Sequence, residues 1–363
     1  MLGLCMIVKN EEHVIERALR SALPNMDTWC IVDTGSSDKT KEIIQNIANE
    51  YNIKGYLYDR PWVNFGHNRS EALALAKGHM TWAFMLDADD NIEGTIDKNI
   101  LLNEVPGYNI IINLGNITFN RVHLFNLSYE WSYVGSLHEY PTNKSGAPVN
   151  LLINNLIIIA RTEGSRSSDP KKYLNDALFL EKEIIDSKNK NARNLFYLAQ
   201  SYRDAGIKDK AIQYYLERTN VVGWNEEIYM SYYNLINLSD TYEDKLKYAW
   251  KAQNIIPERR EAVYEVISWA RKNNIFTHEV YTLGLSVEGQ FDGTHLFTNP
   301  YMYGWSFYDE FGIIAYFTQH YKLAHMLFTT ALESCPESEK TRIQTNIDFS
   351  LKYMEPEIIE VTI

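Results

Sequence analysis

Asp87, Asp89 and Asp90 stand together in the run FMLDADD (84–90), directly behind the apolar stretch MTWAFML. Two carboxylates one residue apart can share a hard divalent cation, which takes oxygen ligands, and can also reach a ribose hydroxyl. An ion held there neutralises the charge that develops on a pyrophosphate when a bond to it breaks. An isolated Asp-x-Asp carries little weight, because solvated turns and helix caps often contain one. The apolar run before this pair gives it meaning: a buried strand would carry both carboxylates to the end of a sheet. Two further apolar runs also finish in aspartate, TWCIVD at Asp33 and GYLYD at Asp59.

The elements that must position these residues alternate along the first hundred residues. GLCMIV (3–8), TWCIVD (28–33), GYLYD (55–59) and MTWAFMLD (80–87) are short apolar runs, as expected of strands covered on both faces. Between them lie three helical patterns. The first places Val14, Ile15, Ala18, Leu19 and Ala22 on one face, the second runs from Thr40 to Tyr51, and the third from Asn68 to Lys77. This order predicts a mostly parallel sheet with right-handed crossovers. In such sheets ligands bind at the carboxyl ends of the strands, where the aspartates fall. YNIIINL, ITFNRVHLF and LLINNLIIIA (151–160) read as further strands, at least partly antiparallel.

From about residue 171 the chain reads as all helix and repeats with a period of about 34 residues. A unit begun at Ala192 places Leu195, Leu198, Ala199, Tyr202, Ala211 and Tyr215 at the packing positions, with Gly206 at the turn. Units begun at Glu226, Arg260 and Trp305 keep or regain the frame. Each such repeat leaves an apolar face that only its neighbours can cover. Aromatics at this spacing are usually core, although an exposed stripe could bind a glycan or peptide.

Composition sets the outer bounds. With 363 residues, 45% hydrophobic and 23% charged, the chain has material for two cores. A formal net charge of −12 argues against nucleic-acid binding. Cys5, Cys30 and Cys335 form no C-x-x-C pair, so a disulfide framework or zinc site is not expected and a reducing, cytoplasmic location is. The opening MLGLCMIVKNEE lacks the pattern of a signal peptide. No apolar run reaches the length of a transmembrane helix.

The ordered blocks MIVKNEE (6–12), IVDTGSSDKT (31–40), NRSEALALAKG (68–78) and FMLDADD resemble those of family-2 glycosyltransferases. WSYVGSLHE (131–139), TEGSRSSDPKKY (162–173) and FYLAQSYRDAG (196–206) resemble blocks of a bacterial-type subgroup with a tetratricopeptide-like tail. The resemblance implies an α/β GT-A domain over 1–165, a tetratricopeptide-like helical domain over 166–354 and a tail over 355–363. It implies an inverting hexosyl transfer from a nucleotide-sugar, by default a UDP-sugar, to a glycan or protein acceptor, with Mn2+ or Mg2+ as the metal.

Residue by residue, the resemblance places Lys9, Asn10 and Glu11 at the edge of the nucleotide pocket. Asp33 accepts a hydrogen bond from the base, or else caps the next helix, and Asp59 borders the base. Asn68 and Arg69 form a polar pair beside the nucleotide, though His67 stands where relatives often carry a small residue. Asp87 faces ribose and metal, and Asp89 ligates the metal.

Glu139 is the implied base, and His138 a metal ligand or acceptor contact. Neighbours in a strand point to opposite faces, so this pair can serve one site only from a loop. Trp131 and Tyr133 line a sugar site or belong to the core, and Arg161 and Arg166 contact the pyrophosphate or solvate a loop. The helical repeats could also pair two copies of the chain. Two other classes compete. One is a degenerate transferase domain presenting a helical scaffold for a protein partner. The other is a nucleotidylyltransferase, which would want a glycine-rich basic loop where KNEEHV stands.

Overall fold

The computed structural model describes residues 1–115, 117–187, 191–289 and 295–354. The chain divides into two compact units, Met1–Leu180 and Glu181–Ile363. The tail expected over 355–363 lies outside the described residues.

In the first unit the apolar runs become strands and the amphipathic segments become their crossovers. The order is β1 (Leu2–Val8), α1 (Ile15–Ala22), β2 (Thr28–Asp33), α2 (Thr40–Glu50), β3 (Gly55–Asp59), α3 (Phe65–Ala76) and β4 (Trp82–Met85). β5 (Asn91–Gly94), β6 (Gly107–Leu114), β7 (Ile117–Asn126), β8 (Trp131–Val134), β9 (Tyr140–Asn143) and β10 (Leu152–Ile159) follow. One eight-stranded sheet has the order β3-β2-β1-β4-β7-β6-β10-β5, and β8 and β9 form a separate hairpin. β3, β2, β1 and β4 are parallel, β7 runs against both β4 and β6, and β10 returns parallel to β6.

The chain leaves β1 to one side through β2 and β3, then comes back to place β4 on the other side. That reversal opens a crevice at the carboxyl ends of β1 and β4. One core face packs Leu4, Met6, Ile31 and Phe84 against α1 and α2; the other packs Cys5, Cys30, Val32 and Phe125 against α3.

Two boundaries differ from the sequence reading. α3 begins at Phe65 rather than Asn68, because the Asn64 side chain caps it by accepting from the His67 N–H. β4 ends at Met85, so Asp87 lies two residues beyond the strand, in the turn that follows.

The second unit is helical, with paired helices in the predicted frame. α4 (Lys172–Ser187) begins in the first unit and ends in the second, and α5 (Ala192–Asp204), α6 (Lys208–Thr219), α7 (Asn225–Leu238), α8 (Tyr242–Gln253), α9 (Glu261–Lys272) and α10 (His278–Leu285) follow it. After them come α11 (Trp305–Phe317), α12 (Tyr321–Ser334) and α13 (Glu337–Lys352). Tyr202, Tyr215 and Tyr229 are fully buried, so these tyrosines are core. In α11, Gly312 lets the Phe328 ring of α12 approach so closely that an added Cβ would lie 2.7 Å from it.

Candidate active site

The crevice floor is carboxylate. Asp87 lies deep, but its side chain keeps 42% of its surface open to the cleft. Burial by itself would raise its pKa; the Arg69 guanidinium outweighs this and holds the carboxyl below its ordinary range. The Arg69 Nη2 donates to Asp87 Oδ1 at 2.5 Å, and its Nε lies 3.1 Å from Glu139 Oε1. Arg69 and Glu139 are both nearly buried. The guanidinium also lies over the rings of Phe65 and Tyr133. One buried cation on α3 thus joins the aspartate that follows β4 to a glutamate from the β8–β9 hairpin.

The hairpin reaches Arg69 because it docks on α3. The Tyr133 N–H donates to Ser70 Oγ at 2.8 Å, and Ser70 Oγ donates to the Gly66 carbonyl. Gly66 permits the approach: a Cβ there would lie 2.0 Å from the Gly135 carbonyl oxygen. Residues 135–139 form a loop between β8 and β9, with φ of +100° at Gly135 and +54° at His138. His138 and Glu139 therefore leave from a loop, the geometry that lets both serve one site.

Asp89 is held from outside the sheet. Its Oδ2 accepts the backbone N–H groups of Glu163 and Gly164 at 3.1 and 2.9 Å, and its carbonyl accepts Arg17 at 2.8 Å. The Asp90 Oδ1 accepts the Arg161 N–H, and the Glu11 Oε2 accepts the Ser165 N–H. Residues 161–165 thus form a strap whose amides face three carboxylates. Burial and then repulsion from Asp87 push Asp90 up to about 8, and burial raises Glu11. Asp87 Oδ2 and Asp89 Oδ1 receive no hydrogen bond from the described residues. Their chemistry fits a hard cation, and the strap orients Asp89 as an outer partner orients a metal ligand. Among the described residues no three His, Cys, Asp or Glu side chains are placed to enclose an ion.

Asp33 is fully buried at the end of β2. Its Oδ1 accepts the N–H groups of Gly35 and Ser36 at 2.9 and 2.7 Å, while its Oδ2 is buried without a partner. One oxygen thus fixes the turn after β2, and Asp33 does not cap α2, which starts only at Thr40. Asn10, with φ of +56°, accepts Ser37 N–H through its Oδ1 and fixes the turn after β1 to the turn after β2; Lys9 is exposed beside it.

The other sequence-selected residues each have partners of their own. Asp59 is on edge strand β3, with its side chain 74% exposed and paired to Lys41. Asn68 is buried, and both ends of its amide serve the α3 entry loop, accepting Val63 N–H and donating to the Pro61 carbonyl. Trp131 packs edge-on against Phe125 and donates to the Asn126 carbonyl. Tyr133 packs on the same ring and also flanks Arg69. Arg161 bonds Asn91, while Arg166 pairs with Asp176 and lies over Phe65.

Sequence reasoning missed Phe65, Arg17, His123 and the strap amides. Backbone donors leave no residue signature, and neither Arg17 nor His123 belongs to a motif.

Residues 4–149 match Glycosyl transferase family 2. Curated relatives include a TPR repeat-containing protein of Synechococcus elongatus, 36% identical over 25% of this chain and 21% of its own length. The SPbeta prophage-derived glycosyltransferase SunS of Bacillus subtilis is 23% identical over 59% of this chain and 52% of its own. The chain spans about half or less of the length of the curated relatives it matches.

Among solved structures, S. aureus TarS 1-349 in complex with UDP-GlcNAc is 13% identical, covering 75% of this chain and 92% of that one, with a TM-score of 0.34. The mannosyltransferase PcManGT from Pyrobaculum calidifontis, in complex with GDP-Man and Mn2+, is 12% identical, covering 75% and 86%, with a TM-score of 0.33. The family match lies within the first unit of this chain, and a unit of paired helices follows it.

Proposed function

We propose that this chain is an inverting, metal-dependent transferase that moves a sugar, a hexose by default, from a UDP-sugar to a glycan or protein acceptor. The observation that carries this reading is the chain Asp87–Arg69–Glu139, which joins a donor-side carboxylate and a candidate base across one crevice. Asp33 offers its vacant buried oxygen to a base N–H. Asp87 and Asp89 hold a divalent cation, Mn2+ or Mg2+, which when bound neutralises charge on the pyrophosphate.

Glu139 accepts the proton of the acceptor hydroxyl. The acceptor oxygen forms a bond to the anomeric carbon as the bond from that carbon to the pyrophosphate oxygen breaks, and the nucleoside diphosphate leaves with the electron pair. Arg69 holds Glu139 in place for this step. The strap from Arg161 to Ser165 orients Asp89.

Among the described residues no helix is long and apolar enough to cross a membrane. A cytoplasmic setting suits the three free, buried cysteines.

The test is a panel of nucleotide-sugars incubated with the full chain and Mn2+ or Mg2+, scored for binding, hydrolysis and transfer. Metal-dependent release of one nucleoside diphosphate is expected. No binding and no turnover with any donor would sink the reading.

A further inference from the structure

Six buried side-chain polar atoms among the described residues lack a hydrogen-bond partner, and four belong to the first unit: Arg17 Nε, Asp33 Oδ2, Arg69 Nε and His123 Nε2. Arg17 and Arg69 are otherwise engaged with residues of the crevice, and Asp33 ends a strand there. His123 belongs to no sequence motif and has no role in the reading above.

Three features give His123 its position. First, it is a β-bulge. Leu124 pairs with Tyr108 and Val122 with Asn109, so His123 is the extra residue of β7, and bulges re-aim side chains. Second, its tautomer is fixed. Nδ1 lies 2.7 Å from the Met85 carbonyl, which can only accept, so Nδ1 carries the hydrogen and Nε2 keeps a lone pair. Third, the ring is 93% buried (7% exposed), yet it lies within electrostatic reach of Asp87 and Arg69, the charged pair of the crevice. Burial disfavours the charged ring, and the bond from Nδ1 to Met85 leaves Nε2 as an acceptor. A buried acceptor without a donor is a standing cost to the fold, and such cases in native proteins call for a functional account.

We propose that His123 Nε2 is a vacant acceptor of the donor site that receives an O–H from a hydroxyl of the bound nucleotide-sugar, on the ribose or on the sugar. The assignment rests on the transferase reading. His123 acts as a binding residue, and its Nδ1–H bond to Met85 holds the acceptor beside the turn that carries Asp87.

Two variants separate the ring nitrogens. His123→Asn can keep a donor for the Met85 carbonyl while deleting the acceptor; His123→Gln can place an amide oxygen near the Nε2 position. Affinities of the full-length variants for UDP and for the UDP-sugar that the wild type binds are measured by calorimetry, with thermal midpoints recorded alongside. His123→Asn is expected to lose about tenfold in affinity with its midpoint unchanged or raised, and His123→Gln to retain most of the affinity. Loss for UDP and UDP-sugar alike assigns the ribose; loss for the UDP-sugar alone assigns the sugar. Wild-type affinity in both variants overturns the assignment, as does an affinity loss in both that tracks a fall in midpoint. Absence of nucleotide binding by the wild type overturns the transferase reading as well, so the two failures are distinct.

Discussion

Arg69→Met tests the electrostatic frame of the crevice directly. The guanidinium is 11% exposed and Glu139 is 8% exposed, so the substitution strands a carboxylate in a nearly dry site. Breaking one partner out of a buried pair costs roughly 3–5 kcal/mol, mostly for the charge left behind. Asp87 adds little, since its side chain is 42% exposed and its pairing is screened by solvent, worth about 0–1 kcal/mol. Arg69→Met should therefore destabilise the first unit by about 3–5 kcal/mol, a fall of roughly 6–20 °C in its midpoint for a unit of this size.

Adding Glu139→Gln to Arg69→Met should recover most of that loss, because it removes the stranded charge. The pH dependence has a definite sign. The Asp87 pKa is depressed in the folded protein, so its contribution is present above the ordinary aspartate range, about pH 4, and is lost as pH falls through the folded value. The gap between wild type and Arg69→Met should narrow in acid. Calorimetry of the full chain from pH 3 to pH 8 reads all of these. A loss below about 1 kcal/mol at neutral pH, or a double variant no more stable than Arg69→Met, would refute the reasoning.

Glu139→Gln alone should keep UDP-sugar affinity within a few-fold while transfer falls about 10²–10⁴-fold; transfer that survives in a single-turnover assay moves the base elsewhere. Asp89→Asn should lower the apparent Mn2+ affinity read from donor binding by about tenfold or more, and an unchanged titration curve rejects Asp89 as the ligand. Gly66→Ala places a Cβ 2.0 Å from the Gly135 carbonyl oxygen, with backbone on both sides, so it should cost at least about 1–3 kcal/mol. It should also lower transfer by lifting Glu139 away from Arg69. A variant with wild-type midpoint and wild-type transfer would show that the hairpin does not need this close approach.

The framework was legible because it is local. Strands buried on both faces are apolar runs, and helices that cover them repeat every three to four residues. β1 to β4 and the helical pairs therefore sit close to where the pattern puts them. The same logic brings Asp33 and Asp87 to one sheet edge, since each follows a parallel strand. Local pattern misleads where a side chain has a structural claim on it. Asn68 stands in a motif, yet the α3 entry loop uses both ends of its amide. Asp59 ends a strand as Asp33 does, but β3 is the sheet edge, so its carboxylate faces solvent.

The sequence by itself determined a parallel sheet with aspartates at its carboxyl ends and a helical repeat behind it, because sterics and burial act over neighbouring residues. It could not supply the contact of Arg69 with Glu139, seventy positions apart, which depends on a hairpin docking through Ser70 and two glycines. Nor could it supply the strap amides on Asp89, or the bulge in β7 at His123. Those arrangements depend on register, loop closure and backbone donors, which belong to the folded chain and have no spacing in the linear one.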